Sequence, residues 1–325
     1  MVLKNHYWTA LALLVGVIGG VVGSQVYRTR QCGAYRYINE DYACGEHHTI
    51  SKAGYIKLEN DVRNFVATAK ANGDAAEIAM YFRDLRDGGV FGVNENVDFV
   101  PASLLKLPLI VTYFAIEERQ PGILQTQVTY RADTPLYVKP MHQTVAPPDE
   151  LQAGRSYPIE LLMQRTLQYS DNTAYSLLAE YLNTSFPGGG SRIRLTFHEL
   201  GVIDPRDVTD EVASVRNYAS IFRALYNVSY LPLDASEKIL TWLVDARFPP
   251  GLVAGVPAGT QVADKFGERQ LPDGTRQVHD CGVVYFPDNP YLLCVMTKGQ
   301  SWETLTGIIS RISRMVYAEV DSRRK

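Results

Sequence analysis

The chain has 325 residues, enough for one sizeable domain or two small ones. An apolar share of 46% and a charged share of 21% are those of a chain that packs a core. A net charge of −3, with no basic stripe carrying interleaved aromatics, argues against a nucleic-acid partner.

The N-terminus differs in kind. Between Tyr7 and Tyr27 the only polar interruptions are Thr9, Ser24 and Gln25. A cleaved signal peptide would use the short apolar run and end near Gly23 and Ser24. A signal anchor would use the full stretch, since about 20 residues span a bilayer as a helix. Tyr7, Trp8 and Tyr27 sit where interfacial aromatics belong, so the anchor over residues 1–27 is the favoured reading. Lys4 precedes the span while Arg28, Arg30 and Arg36 follow it, which by charge alone would keep the rest of the chain in the cytoplasm. Long domains are translocated despite such charges, and the chemistry below favours a membrane-anchored protein with its main body extracytoplasmic.

Residues 28–55 are polar and irregular and read as a spacer. Cys32 and Cys44 within it suit either a local disulfide or two free thiols. Ile56 to Lys70 has helical rhythm, with Leu58, Val62, Phe65 and Val66 on one face. Ala76 to Phe91 reads as a hairpin turning at Asp87-Gly88-Gly89. Ala102 to Glu117 reads as a buried helix, and Leu161–Leu182 and Ser214–Tyr226 as the clearest helices of a helical middle. Gly188-Gly189-Gly190 reads as a turn rather than a phosphate cradle, because no Lys-Ser/Thr follows it.

Near the C-terminus, Val262–Lys265, His279–Phe286 and Tyr291–Thr297 are strands. With a turn centred on Asp288-Asn289, Cys281 opposes Met296 and Cys294 opposes Val283, which predicts two buried thiols rather than a bridge. A last helix carries Leu305, Ile308, Ile309, Ile312, Met315 and Val316 at spacings of three and four. This order predicts an α+β fold of two lobes: an antiparallel sheet built from both chain ends and flanked by helices, and a helical lobe.

Three motifs carry chemistry. Ser103-Leu104-Leu105-Lys106 places a hydroxyl and an amine three residues apart on one helix face. A neutral amine can take the hydroxyl's proton, and burial beside another cation would make the amine neutral. By composition about one Ser-x-x-Lys is expected in such a chain, and Ser322-Arg323-Arg324-Lys325 is a second. Context separates the two: Pro108 lies inside the first helix, where it would remove a backbone hydrogen bond. Ser170-Asp171-Asn172 offers a second hydroxyl for proton relay and an amide for positioning, or, more blandly, an N-cap cluster. Lys265-Phe266-Gly267 ends a strand. Its lysine adds positive charge and its glycine lets a substrate backbone approach, although an edge-strand lysine before a turn is common.

Ser-x-x-Lys, Ser-Asp-Asn and Lys-x-Gly in this order resemble the penicillin-recognising serine enzymes, class A β-lactamases above all. The likeness runs from about residue 56 to the C-terminus and includes Ser214–Ala219. It implies a catalytic domain over residues 56–325 that forms an acyl-enzyme at Ser103, on a β-lactam or a peptidoglycan-type peptide carbonyl. Lys106 would accept the proton and Ser170 would protonate the leaving nitrogen. Asn172, Lys265 and Gly267 would hold the substrate. The backbone N–H groups of Ser103 and Glu268 would form the oxyanion hole. No cofactor or metal is implied.

Two departures stand out. Phe266 replaces the family's usual hydroxyl residue, and His279, roughly where relatives keep an anion-binding arginine, is the candidate to compensate. The family's deacylating Glu-x-x-x-Asn is absent between Asn172 and Lys265, where only Asp207, Asp210 and Glu211 offer carboxylates. These departures motivate a rival reading, a catalytically silent, membrane-tethered binding module. The six histidines lack metal-ligand spacing, and no Gly-x-Ser-x-Gly occurs.

Overall fold

The computed structural model describes residues 13, 15–20, 22, 35–39, 54–86, 88–136, 144–186, 188–202 and 212–323. Most of the expected anchor, Cys32, Cys44, Asp207, Asp210 and Glu211 lie outside these residues. Among the described residues no helix is long and apolar enough to cross a membrane.

In chain order the elements are α1 (Ile56–Ala71), β1 (Glu77–Asp84), β2 (Val90–Val93), β3 (Asp98–Phe99), a 3-10 turn (Ala102–Leu105) and α2 (Lys106–Arg119). Then come β4 (Gln127–Thr129), β5 (Ser156–Pro158), α3 (Ile159–Gln168), α4 (Asn172–Ser185) and α5 (Gly189–Glu199). The chain continues with β6 (Ala213–Ser214), α6 (Val215–Tyr226), α7 (Leu233–Val244), β7 (Val262–Gln270), β8 (Arg276–Val284), β9 (Tyr291–Gly299) and α8 (Trp302–Ser322).

Five strands form an antiparallel sheet in the order β2-β1-β9-β8-β7, so the first and last parts of the chain meet along the β1–β9 pair. Side chains alternate across it. Ile78, Met80, Phe82, Leu293 and Val295 join α1 and α8 in one core. Ala79, Tyr81, Leu292 and Met296 join the helical lobe in the other. Because both faces are covered, the long strands are buried almost throughout, polar residues included. On α8, Ile308, Ile309, Ile312 and Val316 face the sheet, each worth about 1.5–3 kcal/mol of burial. The Ser301 hydroxyl caps that helix by accepting from Thr304 N–H. The helical lobe wraps α2, whose Leu107, Ile110, Val111 and Phe114 are buried around the whole helix. The result is the expected two-lobe α+β fold.

Four expectations are corrected. Cys281 and Cys294 are direct partners and form a disulfide, with Cα atoms 3.9 Å apart. The strands close at Val284 opposite Tyr291, so the turn centres between Pro287 and Asp288, and that one-residue shift moves every cross-strand partner by two. Pro108 removes no hydrogen bond, because α2 begins only at Lys106 and first-turn N–H groups have no intrahelical partner. The expected helix from Leu161 to Leu182 is two helices, interrupted at Tyr169, Ser170 and Asp171. Gly189 and Gly190 open α5, and a Cβ on Gly189 would overlap the carbonyl of Leu182, so glycine there permits close packing of α5 on α4.

Tyr35–Asn39 pack onto the body of the protein. The Glu237 carboxylate accepts the backbone N–H groups of Arg36, Tyr37 and Ile38 at 2.7, 2.8 and 3.1 Å, while Tyr37 and Ile38 are buried.

Candidate active site

The site lies where α2, the loop before α4 and the outer strand β7 converge. Ser103 sits in the 3-10 turn that leads into α2, anchored by Leu104 N–H donating to Pro101 O at 3.1 Å. Ala102, immediately before it, has φ +53°, and so has Ser170. Left-handed backbone at a non-glycine residue carries a strain of about 1–3 kcal/mol, and such residues cluster at functional sites. Tyr218 on α6 donates to the Leu104 carbonyl at 2.8 Å and holds the turn from behind.

Lys106 is 2% exposed. Its Nζ lies against Ser170 O, 3.0 Å from Ser170 Oγ and 2.6 Å from Asn172 Oδ1. Burial foremost, and then the positive charge of Lys265, hold its pKa well below the usual lysine range, with Asp171 pulling the other way. As a neutral amine, Lys106 keeps two hydrogens to donate among these three oxygens and one lone pair that can accept a proton. Among the described residues, no hydrogen bond ends on the Ser103 hydroxyl.

Asp171 is the structural member of its motif. Its Oδ1 caps α4 by accepting from Thr173 and Ala174 N–H at 2.9 and 3.1 Å. Its Oδ2 accepts from Arg165 Nε at 2.9 Å, and Arg165 Nη1 reaches Asp149 Oδ1 at 2.7 Å. The N-cap reading is therefore met by Asp171, while Ser170 and Asn172 turn to Lys106. Arg165 was not singled out in the sequence. The available signal was a charged residue on the buried face of α3, among Leu162, Thr166 and Leu167.

On the opposite wall, β7 is the last strand of the sheet, with one edge facing the Ser103 turn. A Cβ on Gly267 would stand 3.0 Å from Pro101 O and 3.3 Å from Leu104 N, so only glycine lets the strand lie this close. Lys265 is fully buried, donates to Phe266 O at 2.8 Å, and is pushed down to about 7 by burial against the opposing pull of Asp264, Asp280 and Glu268. Phe266 faces the other core, stacked on Phe248 at 4.1 Å, and offers the site no polar group. The Glu268 carboxylate accepts from the N–H of Thr144 at 2.9 Å and from its hydroxyl.

His279 does not reach this space, which corrects its expected substrate-binding place. It is fully buried on β8, directly opposite Gly267 of β7, its Nε2 3.0 Å from Val100 O and 3.1 Å from Gln277 Oε1, with Phe99 packed edge-on. Burial lowers its pKa to about 4, leaving it a neutral support for the segment before Ser103. Of the expected residues, Lys106, Ser170 and Asn172 thus meet, and Gly267 lies against the turn that carries Ser103. Lys265 is near enough for its charge to act on Lys106, and His279 stands behind the Ser103 turn. Among the described residues, no group of side chains could hold a metal ion.

The model of a family described as "Beta-lactamase enzyme family" matches residues 57–320. The extended-spectrum beta-lactamase PER-1 of Pseudomonas aeruginosa is 25% identical over 246 residues, which cover 69% of this chain and 76% of that protein. A beta-lactamase of Bacteroides uniformis is 26% identical over 252 residues, covering 71% and 82%. Among solved structures, PBP-A aligns with a TM-score of 0.69 at 21% identity, over 85% of this chain and all of that one. A class A beta-lactamase from Mycobacterium abscessus aligns at 0.67 and 21%, over 80% and 99%. These two structures are likenesses of fold.

Proposed function

Because the chain belongs to the Beta-lactamase enzyme family and is a serine hydrolase of the β-lactamase or DD-peptidase type, we propose that Ser103 is acylated by a β-lactam or a peptidoglycan-type peptide and releases the acyl group slowly. The observation that carries this reading is the buried Lys106 amine, 3.0 Å from Ser170 Oγ and 2.6 Å from Asn172 Oδ1.

The Ser103 proton passes to the neutral amine of Lys106, directly or through one water, as Oγ bonds to the substrate carbonyl carbon. The carbonyl oxygen becomes an oxyanion, received by the N–H groups of Ser103 and Glu268. Lys106 then gives its proton to Ser170 Oγ as Ser170 passes its own to the leaving nitrogen, and the C–N bond breaks. Asn172 orients the substrate amide, and Lys265 supplies positive charge that favours the neutral form of Lys106. Water must then cleave the ester, and the chain has no Glu-x-x-x-Asn between Asn172 and Lys265 to activate it. That absence supports slow deacylation.

The proposed location is extracytoplasmic, with residues 1–27 as anchor. The Cys281–Cys294 disulfide supports an oxidising compartment. Incubation with a fluorescent penicillin and a chromogenic cephalosporin tests the reading. A covalent adduct that long outlives mixing, lost in Ser103→Ala, is expected. Rapid cephalosporin turnover would overturn slow deacylation, and failure of both reagents and of peptide cleavage would overturn acylation itself.

A further inference from the structure

A second cavity, of about 340 Å³, lies between α6 and the helical-lobe face of β1 and β9, near the β2 edge of the sheet and away from the β7 edge where Ser103 lies. Three arginines line it: Arg83 from β1, and Arg216 and Arg223, two turns apart on α6. Among the described residues, no acidic side chain lines it. Arg216 Nη1 lies 3.8 Å from Glu95 Oε1, with its side chain 60% exposed. Among the described residues, Arg83 and Arg223 have no carboxylate within ion-pair distance, and Tyr81 and Asn217, which also line the cavity, have unused side-chain polar groups. Leu292 supplies an apolar wall.

Like charges gathered around one hollow repel unless something anionic compensates them. Guanidinium groups match tetrahedral oxyanions in bidentate geometry better than any other side chain. Two unpaired guanidiniums beside a third that is only loosely paired suit a dianionic group. The volume is at the small end of small-molecule sites, about 300–1,000 Å³, and exceeds what a bare phosphate needs. We propose that this cavity binds the phosphate group of a small phosphomonoester, with Arg83, Arg216 and Arg223 as its ligands.

The full-length protein is titrated at constant ionic strength with inorganic phosphate, with glycerol 3-phosphate, and with sodium acetate as control, while its melting temperature is followed. A saturable rise with phosphate, larger with glycerol 3-phosphate and absent with acetate, is expected. Arg223→Gln, at an exposed position, and Arg83→Gln should each weaken the apparent binding about tenfold or more, the loss of one charge-assisted hydrogen bond. The Arg223→Gln variant keeps the test decisive if Arg83→Gln fails to fold. No rise with either phosphate, or a rise unchanged in Arg223→Gln, overturns the site. Binding of inorganic phosphate without gain from glycerol 3-phosphate overturns the organic ligand.

Discussion

The amine of Lys106 lies 3.0 Å from the hydroxyl of Ser170, although 64 residues separate them in the chain. The contact joins the two lobe elements that carry the Ser-x-x-Lys and Ser-Asp-Asn motifs. Lys106 Nζ is turned toward Ser170 and Asn172. Ser170 therefore lies on the proposed outgoing proton path.

Lys265→Ala removes a positive charge that depresses Lys106. The Lys106 pKa should rise, its neutral fraction near pH 7 should fall, and the acid limb of acylation should move to higher pH. Lys265→Arg should return the limb toward its original position. Stopped-flow acylation rates across pH check this. A uniform loss at every pH would instead mark Lys265 as structural.

Arg165→Ala leaves Asp171 buried without its charge partner, since both side chains of that pair are under 10% exposed. Breaking a buried pair by removing one partner costs about 3–5 kcal/mol. Urea unfolding should show that loss, and the acylation rate should fall because Asp171 fixes the turn that presents Ser170 and Asn172.

Gly267→Ala places a methyl 3.0 Å from Pro101 O and 3.3 Å from Leu104 N. Strand and turn must part by a few tenths of an ångström, and the Ser103 turn moves with them. Penicillin acylation should drop by more than about tenfold, since an ångström-scale misplacement can cost a hundredfold. A rate within twofold of the unmodified protein would contradict the close approach of β7.

Asp264 on β7 and Asp280 on β8 are both fully buried, and burial foremost, with the neighbouring Asp280 carboxyl next, holds Asp264 well above the usual carboxylate range. Burial raises Asp280 from 3.8 to about 7, against the pull of Leu252 N–H and of Lys265. A carboxyl raised on folding contributes stability that is whole below about pH 3.8 and fades as pH rises through about 7. Asp280→Asn keeps an acceptor for Leu252 N–H and cannot ionise. It should flatten that part of the decline in stability between pH 4 and pH 7, measured by urea unfolding at a series of pH values.

Ser103, Lys106, Ser170, Asn172 and Lys265 were legible because each sits in a short motif whose chemistry is local to a few residues. The lobes were legible because helical rhythm and β-rich runs come in blocks. What escaped depends on register and burial. His279 lies in a strand covered on both faces, where polarity does not alternate, so no pattern distinguishes a core position from one facing the site. The Cys281–Cys294 bridge hinged on the turn centre, and an error of one residue moved each partner by two. Arg165 makes its pair through Asp171 in a different element, and no spacing rule links them. Residues 35–39 are too few for any periodicity, and their docking rests on long-range partners such as Glu237, Tyr226 and Tyr285 that no local pattern reveals.

Mass spectrometry after incubation with benzylpenicillin is the most direct measurement of the proposed chemistry. One adduct equal to the intact penicillin should appear, map to the peptide containing Ser103, and vanish in Ser103→Ala. An adduct that maps elsewhere, or that persists in the variant, would contradict the account.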